Sequence, residues 1–165
     1  MSLGLIITGV VCLLLLVIIV ASTSKSKKKK QVRFLDPLNR LAESADCKIS
    51  NYDIWNDSVI GIDGVKNVVF AIRKTNGTEE NITINLAEIF RCRVAEISRV
   101  TGPKEGNMKV FDRIDLVFVN KEKSKSDQVI VVYSSNTDRL TLAGELQLAE
   151  KWCTLVNNKL ATIGK

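Results

Sequence analysis

Apolar residues run unbroken from Leu3 to Ala21, nineteen positions eased only by the small residues Gly4, Thr8, Gly9 and Cys12. A hydrocarbon layer about 30 Å thick takes roughly 20 apolar residues in a helix. In lipid, a helix also satisfies its own backbone groups. The run therefore predicts a transmembrane helix over 1–22. Lys25, Lys27, Lys28, Lys29 and Lys30 follow at once, in a basic juxtamembrane linker over 23–35. Positive flanks stay in the cytoplasm. The expected protein is thus a single-pass protein of the cell inner membrane, with its N-terminus outside and its C-terminal domain cytoplasmic. A cleaved signal peptide wants positive charge ahead of a shorter apolar core, whereas only Met1 and Ser2 precede this run. A lipoprotein site at Cys12 is disfavoured by Val11, which stands where a small residue belongs.

Past the linker the pattern shortens and predicts one domain over 36–165. Asp36-Pro37 reads as a helix start, Asp as N-cap and Pro at the first helical position. Leu38, Leu41, Ala42 and Ala45 follow at helical spacing, to an end near Asp46. Cys47 to Trp55 alternates poorly and reads as an irregular strand or an extended arm. Ser58 to Ile62 and Val65 to Lys74 are strands joined at Asp63-Gly64, a dipeptide that favours a two-residue hairpin because Gly takes the positive φ it demands. Val68, Phe70 and Ile72 alternate onto one expected core face. Asn76-Gly77 repeats the turn device before Ile82, Ile84 and Leu86.

Leu86-Ala87-Glu88 reads as a corner, after which Phe90, Cys92 and Val94 alternate with Arg91 and Arg93. Thr101 to Asn107 is a loop. Met108 to Val119 is a strand with Ile114, Leu116 and Phe118 inward. Asn120 to Asp127 is a charged loop, and Val129, Val131 and Tyr133 lead the last strand. Asn136 or Thr137 is the expected opening of a closing helix. Leu142, Ala149, Trp152, Val156, Leu160 and Ile163 form its apolar stripe, and Gly164 ends it. Phe70, Phe118 and Trp152 are the expected structural core, Trp152 as a core plug.

Composition changes two points. The net charge of +6 rests on 24 basic and 18 acidic residues, and five of the basic ones are the collar lysines. The remainder is close to neutral, so the domain lacks the basic patch of a nucleic-acid binder. Cys12 lies in the apolar run, and Cys47, Cys92 and Cys153 are far apart with no CxxC, which fits free thiols in a reducing compartment. Cys92 reads as a small core residue. Asn56, Asn76 and Asn81 open N-x-S/T tripeptides that a cytosolic domain leaves unused.

Six strands, the irregular 47–55 segment and a closing helix with a Trp resemble the pleckstrin-homology-like (PH-like) fold. The residues that carry the likeness are the Ile60-Gly61-Ile62-Asp63-Gly64 hairpin, the strands through Phe118 and Tyr133, and Leu148-Ala149-Glu150-Lys151-Trp152, within 47–163. The likeness implies an α+β chain: a mostly antiparallel β-sandwich or open barrel capped by a C-terminal amphipathic helix, here behind the transmembrane helix. It also implies binding of phosphoinositides or of proteins. Lipid-binding members carry a basic cluster in an early hairpin, where this chain has only Lys66. With its anchor, the chain also resembles small uncharacterised membrane proteins of Bacteroidota, which points to a bacterial membrane protein and supplies no activity.

The chain has no histidine, which removes the commonest general base, the Ser-His-Asp arrangement and histidine metal sites. No P-loop appears, since the Thr101–Asn107 stretch lacks the GK[ST] ending. The expected protein is not an enzyme and uses no cofactor or metal. It is a non-catalytic interaction module, or a subunit of a membrane-associated assembly, with another protein as partner. Its expected surfaces are strand edges and the 111–120 region, where Val117 and Val119 face away from the core unless the other half of a sandwich covers them. The alternative is a membrane-surface sensor whose collar lysines and 120–127 loop engage anionic lipid.

Overall fold

The computed structural model describes residues 32–101, 108–138 and 142–163. The chain divides into two compact units, Met1–Pro37 and Leu38–Lys165. Of the first, residues 32–37 are described, as the opening of a helix (α1) over 32–44. All seven strands and the closing helix belong to the second.

The transmembrane, single-pass architecture is corrected. Among the described residues no helix is long and apolar enough to cross a membrane. At 1.5 Å per residue α1 is about 20 Å long, and it carries Arg33, Asp36, Arg40 and Glu43. The closing helix carries Glu145, Glu150, Lys151 and Lys159, charges that hydrocarbon does not accept. The span expected over 1–22, and the five collar lysines, lie outside the described residues. The described architecture is α+β, two antiparallel sheets with two helices.

Helix α1 differs from the expected start at Asp36-Pro37. Both residues stand inside it, so the carbonyl of Arg33 lacks the helical donor that Pro37 does not carry. Strands β1 (Asn51–Trp55), β2 (Ser58–Asp63), β3 (Val68–Thr75) and β4 (Thr78–Asn85) then pair antiparallel in that order. The poorly alternating 47–55 segment thus resolves into an irregular lead and a strand, with Asn51 opposite Ile62 and Trp55 opposite Ser58. Asn76-Gly77 forms the expected two-residue turn, both residues at positive φ (51° and 81°).

Asp63-Gly64 does not. Residues 64–67 all lie in the β2–β3 loop, and the positive φ falls on Asn67 (57°). The cause is the Asp63 carboxylate. Its Oδ1 accepts from the N–H of Val65 (2.8 Å) and Lys66 (2.9 Å), and its Oδ2 from the N–H of Lys48 (2.8 Å). These bonds hold a wider loop, in the manner of an Asx-turn.

In the first sheet, β2 and the middle of β3 are buried on both sides. Ile60, Ile62, Val69, Ala71 and Ile84 face the main core. Val59, Phe70 and Ile72 are equally buried but lie on the opposite face, because Gly61 pairs with Phe70. The core face of β3 is therefore Val69 and Ala71, not the Val68–Phe70–Ile72 set. Leu38 of α1 packs close over Gly61: a Cβ there would stand 2.8 Å from Leu38 Cδ2 and 3.1 Å from Ile49 Cγ2.

A 3-10 turn over Leu86–Glu88, capped by the Asn85 side chain accepting from Ala87 N–H (3.0 Å), makes the corner into the second sheet. That sheet contains β5 (Ile89–Thr101), β6 (Met108–Asn120) and β7 (Gln128–Ser134), in order. Of three register shifts in this sheet, two break the alternation read from the sequence. Ile89 pairs with Asn120 and Arg91 with Val119, so Phe90 is left over and turned out, while Ile89 is buried. Ile114 pairs with Tyr133 and Asp115 with Val131, so Val132 is left over, and Val132 and Tyr133 are both buried. A bulge adds one residue and resets which side chains face in. Trp55 Nε1 donates to the carbonyl of Val132 (2.8 Å), joining the first strand to the last.

The closing helix, α2 (Glu145–Ile163), starts later than Asn136 or Thr137. Those residues are used to finish β7: Asp138 accepts from Ser134 N–H (2.7 Å) and from Arg73 (3.2 Å), and Arg73 also donates to Thr137 Oγ1 (3.0 Å). Ala149, Trp152 and Val156 sink from α2 into the core shared by both sheets, beside Phe118 and Tyr133. Trp152 Nε1 donates to Asp53 Oδ2 (2.8 Å), and Lys151 pairs with the same oxygen (2.6 Å). Gly164 and residues 102–107 lie outside the described residues.

Two outcomes follow. Gly61→Ala should lower stability by about 1–3 kcal/mol, as overpacking does, read by urea unfolding; an unchanged midpoint would show that α1 yields freely. Backbone donation from Lys48, then from Lys66 and Val65, together with the Lys66 charge, holds the Asp63 carboxyl below its ordinary range despite burial. Its stabilisation is thus fully present above the unfolded value of about 3.9 and is lost as pH falls through the lower folded value. Asp63→Asn should be less stable than the parent at pH 7, with the gap closing in acid. A gap that does not change with pH would contradict this role.

Candidate functional site

Among the described strands, β5 pairs only with β6, so its other side is a sheet edge. Helix α2 runs beside that edge and closes it at one point. Asn157 Oδ1 accepts from Cys92 N–H (2.9 Å), and Asn157 Nδ2 donates to the Cys92 carbonyl (2.9 Å). One side-chain amide thus does for Cys92 what a neighbouring strand would do. Cys153, one turn earlier on α2, donates its thiol to the same carbonyl (3.4 Å) and accepts from Asn157 Nδ2 (3.4 Å).

This contact sets the polarity of the edge. In an antiparallel pair, successive residues turn their N–H and C=O alternately toward and away from the partner strand. Cys92 turns its groups away from β6, so Val94 and Glu96 do as well. The register is regular across this stretch, with Cys92 opposite Phe118, Val94 opposite Leu116 and Glu96 opposite Ile114, until the shift after Ile97. From Val94 onward the edge is open among the described residues.

The side chains along β5 divide by face. Cys92 is buried in the core, with Val94 packed against it. Arg91, Arg93, Ala95 and Ile97 share the outer face, where Arg91 stands opposite Val119 and Arg93 opposite Val117. Three apolar residues of this strand are open to solvent: Phe90 (67% exposed), Ile97 (58%) and Val100 (65%). Nearby acids are engaged: Glu96 with Lys109 (2.8 Å), Asp112 with Arg99 (3.3 Å) and Asp115 with Arg113 (2.8 Å). Among the described residues, Arg91 and Arg93 have no ion-pair partner.

The other surfaces offer less. Phe118 and Trp152 are buried in the main core, and Phe70 is buried on the far face of the first sheet. Val117 is buried, so the outer face of β6 is not bare there. In the 120–127 loop, Lys121 donates to the Ala87 carbonyl (2.7 Å) and Lys125 pairs with Glu88 (3.1 Å). A hollow of about 140 Å³ between them is lined by Glu88, Asn120 and Glu122 as well. A second hollow, about 370 Å³, lies over Asn39, Glu43, Cys47, Lys48 and Ile49. Burial first, then the Asp63 charge, push the Cys47 thiol up, and burial followed by Cys153 does the same to Cys92. Neither thiol is poised as a thiolate nucleophile. Among the described residues no group of three His, Cys, Asp or Glu side chains is placed to hold a metal ion.

Sequence reasoning placed Cys92 in the core but missed Asn157, which reads as one more polar residue on the outer face of the closing helix. Its spacing of four from Cys153 was the available hint, since it puts both on one flank. Compared with known proteins, the chain matches no family model, no curated protein and no solved structure.

Asn157→Ala would leave the Cys92 N–H and C=O without their partner. The expected cost is about 1–3 kcal/mol, with faster exchange of the Cys92 amide by NMR. Unaltered exchange at Cys92 would mean that the amide does not close the edge.

Proposed function

We propose that this chain is a non-catalytic interaction module of pleckstrin-homology-like build, which takes up an extended segment of another protein as an added strand on β5. The observation that carries the reading is the open edge from Val94 to Glu96, beside exposed Ile97 and Val100. Strand addition draws affinity from main-chain hydrogen bonds and specificity from alternate side chains. An unpaired edge is otherwise a hazard that proteins cover or blunt. Here Asn157 covers Cys92 and leaves the next outward-facing residues open. The PH-like assignment is supported by the order of four strands, then three, then a helix packed on the second sheet.

A lipid-facing role for the 120–127 loop has less support, because Lys121 and Lys125 are already held by Ala87 and Glu88. Lys25, Lys27, Lys28, Lys29 and Lys30 lie outside the described residues and carry no weight either way.

The test uses the intact chain and a display library of random peptides. Selected binders should slow exchange of the Val94 and Glu96 amides, and N-methylation of alternate peptide nitrogens should abolish binding. Binders that leave both amides exchanging at the free rate, or that tolerate N-methylation, would sink strand addition.

A further inference from the structure

Resting on that reading, we infer that the segment β5 takes up is acidic, with carboxylates at two alternate positions facing Arg91 and Arg93 and an apolar side chain facing Ile97.

The order of side chains on the outer face carries the inference. Arg91, Arg93, Ala95 and Ile97 follow at every second residue: two cations, one small residue, one exposed aliphatic. A strand laid along this edge sets its own alternate side chains about 5 Å from them, Cβ to Cβ, within reach of direct pairing. The local acids do not neutralise the two arginines. Glu96, Asp112 and Asp115 are spent on Lys109, Arg99 and Arg113. Two guanidinium forks therefore stand side by side without described counterions, each suited to bind a carboxylate in bidentate fashion. Arg91 stands opposite Val119 and Arg93 opposite Val117, apolar neighbours over which long arginine stems can lie.

Charge also argues against the most available alternative occupant, a second β5. An antiparallel copy centred on Val94 would set each Arg93 diagonal to its counterpart, and like charges across a sheet repel. Asn157 limits the register. Because it holds Cys92, main-chain pairing begins at Val94, with Arg93 opposite the first paired residues and Arg91 reaching the flank.

The test measures binding to the intact chain of a nine-residue threonine peptide with glutamate at its second and fourth positions and valine at its eighth, together with its reverse order. Control peptides carry lysine, or threonine, in place of both glutamates. The glutamate peptide should bind best and the lysine peptide worst, with about a two- to fivefold loss for each carboxylate removed and weaker discrimination in high salt. In the Arg91→Glu/Arg93→Glu double variant the order should reverse, a gain for the lysine peptide that an unfolded variant would not show. Equal binding of all three peptides, or an unreversed order in the variant, would overturn the acidic preference. In that case slowed exchange at Val94 and Glu96 would still uphold strand addition; if the amides are unaffected too, both ideas fall. Vesicles containing phosphatidylserine, bound through the same two arginines while no peptide binds, would overturn it in favour of a lipid surface.

Discussion

The structure depends on how one indole is housed. Trp152 is fully buried in the core that both sheets share with α2. A buried indole must place its N–H, and the acceptor is Asp53, a carboxylate on the core-facing side of β1 opposite Ile60. An acid pointing toward a core is costly unless its lone pairs are met. Trp152 and Lys151 both meet its Oδ2 from one helix. The same contact thus satisfies an inward polar group on the first sheet and orients the helix that covers the second.

That orientation is what makes the β5 edge a defined feature. With Trp152 facing in, Cys153 and Asn157 fall on the flank that borders β5, and the Asn157 amide meets Cys92. The two sheets end up unlike each other. In the first, β2 and β3 are buried on both faces, with Val59, Phe70 and Ile72 beneath one side and Ile60, Ile62 and Val69 beneath the other, while β4 is largely exposed. The second has one buried face and one that carries Arg91, Arg93 and Ile97 in the open.

Much of the strand content was legible, because alternation and turn residues are local. Asn76-Gly77 took the expected geometry since nothing nearby competed for its backbone. Asp63-Gly64 looked equivalent, but the Asp63 carboxylate recruited three backbone donors, one of them fifteen residues upstream. Phe90 was misassigned and Val132 passed over for a related reason: a bulge depends on the partner strand, and period-two counting has no access to it. The apolar run over 3–21 was read from composition, while the helices described carry charge along their length. Asn157 was invisible as a site because its meaning lies in a backbone sixty-five residues away.

The ties between the two ends of the domain bear on the order in which it can assemble. The β1–β2, β2–β3 and β3–β4 hairpins are short-range and can form as the chain emerges. Trp55 waits for Val132, seventy-seven residues on, and Asp53 waits for Trp152, ninety-nine residues on. Contacts so distant along the chain slow folding. Until the last helix is synthesised, the inward face of the early sheet is wet and adhesive, the state in which nascent chains aggregate or recruit chaperones. A ribosome stalled before residue 145 would hold a sheet with no lid.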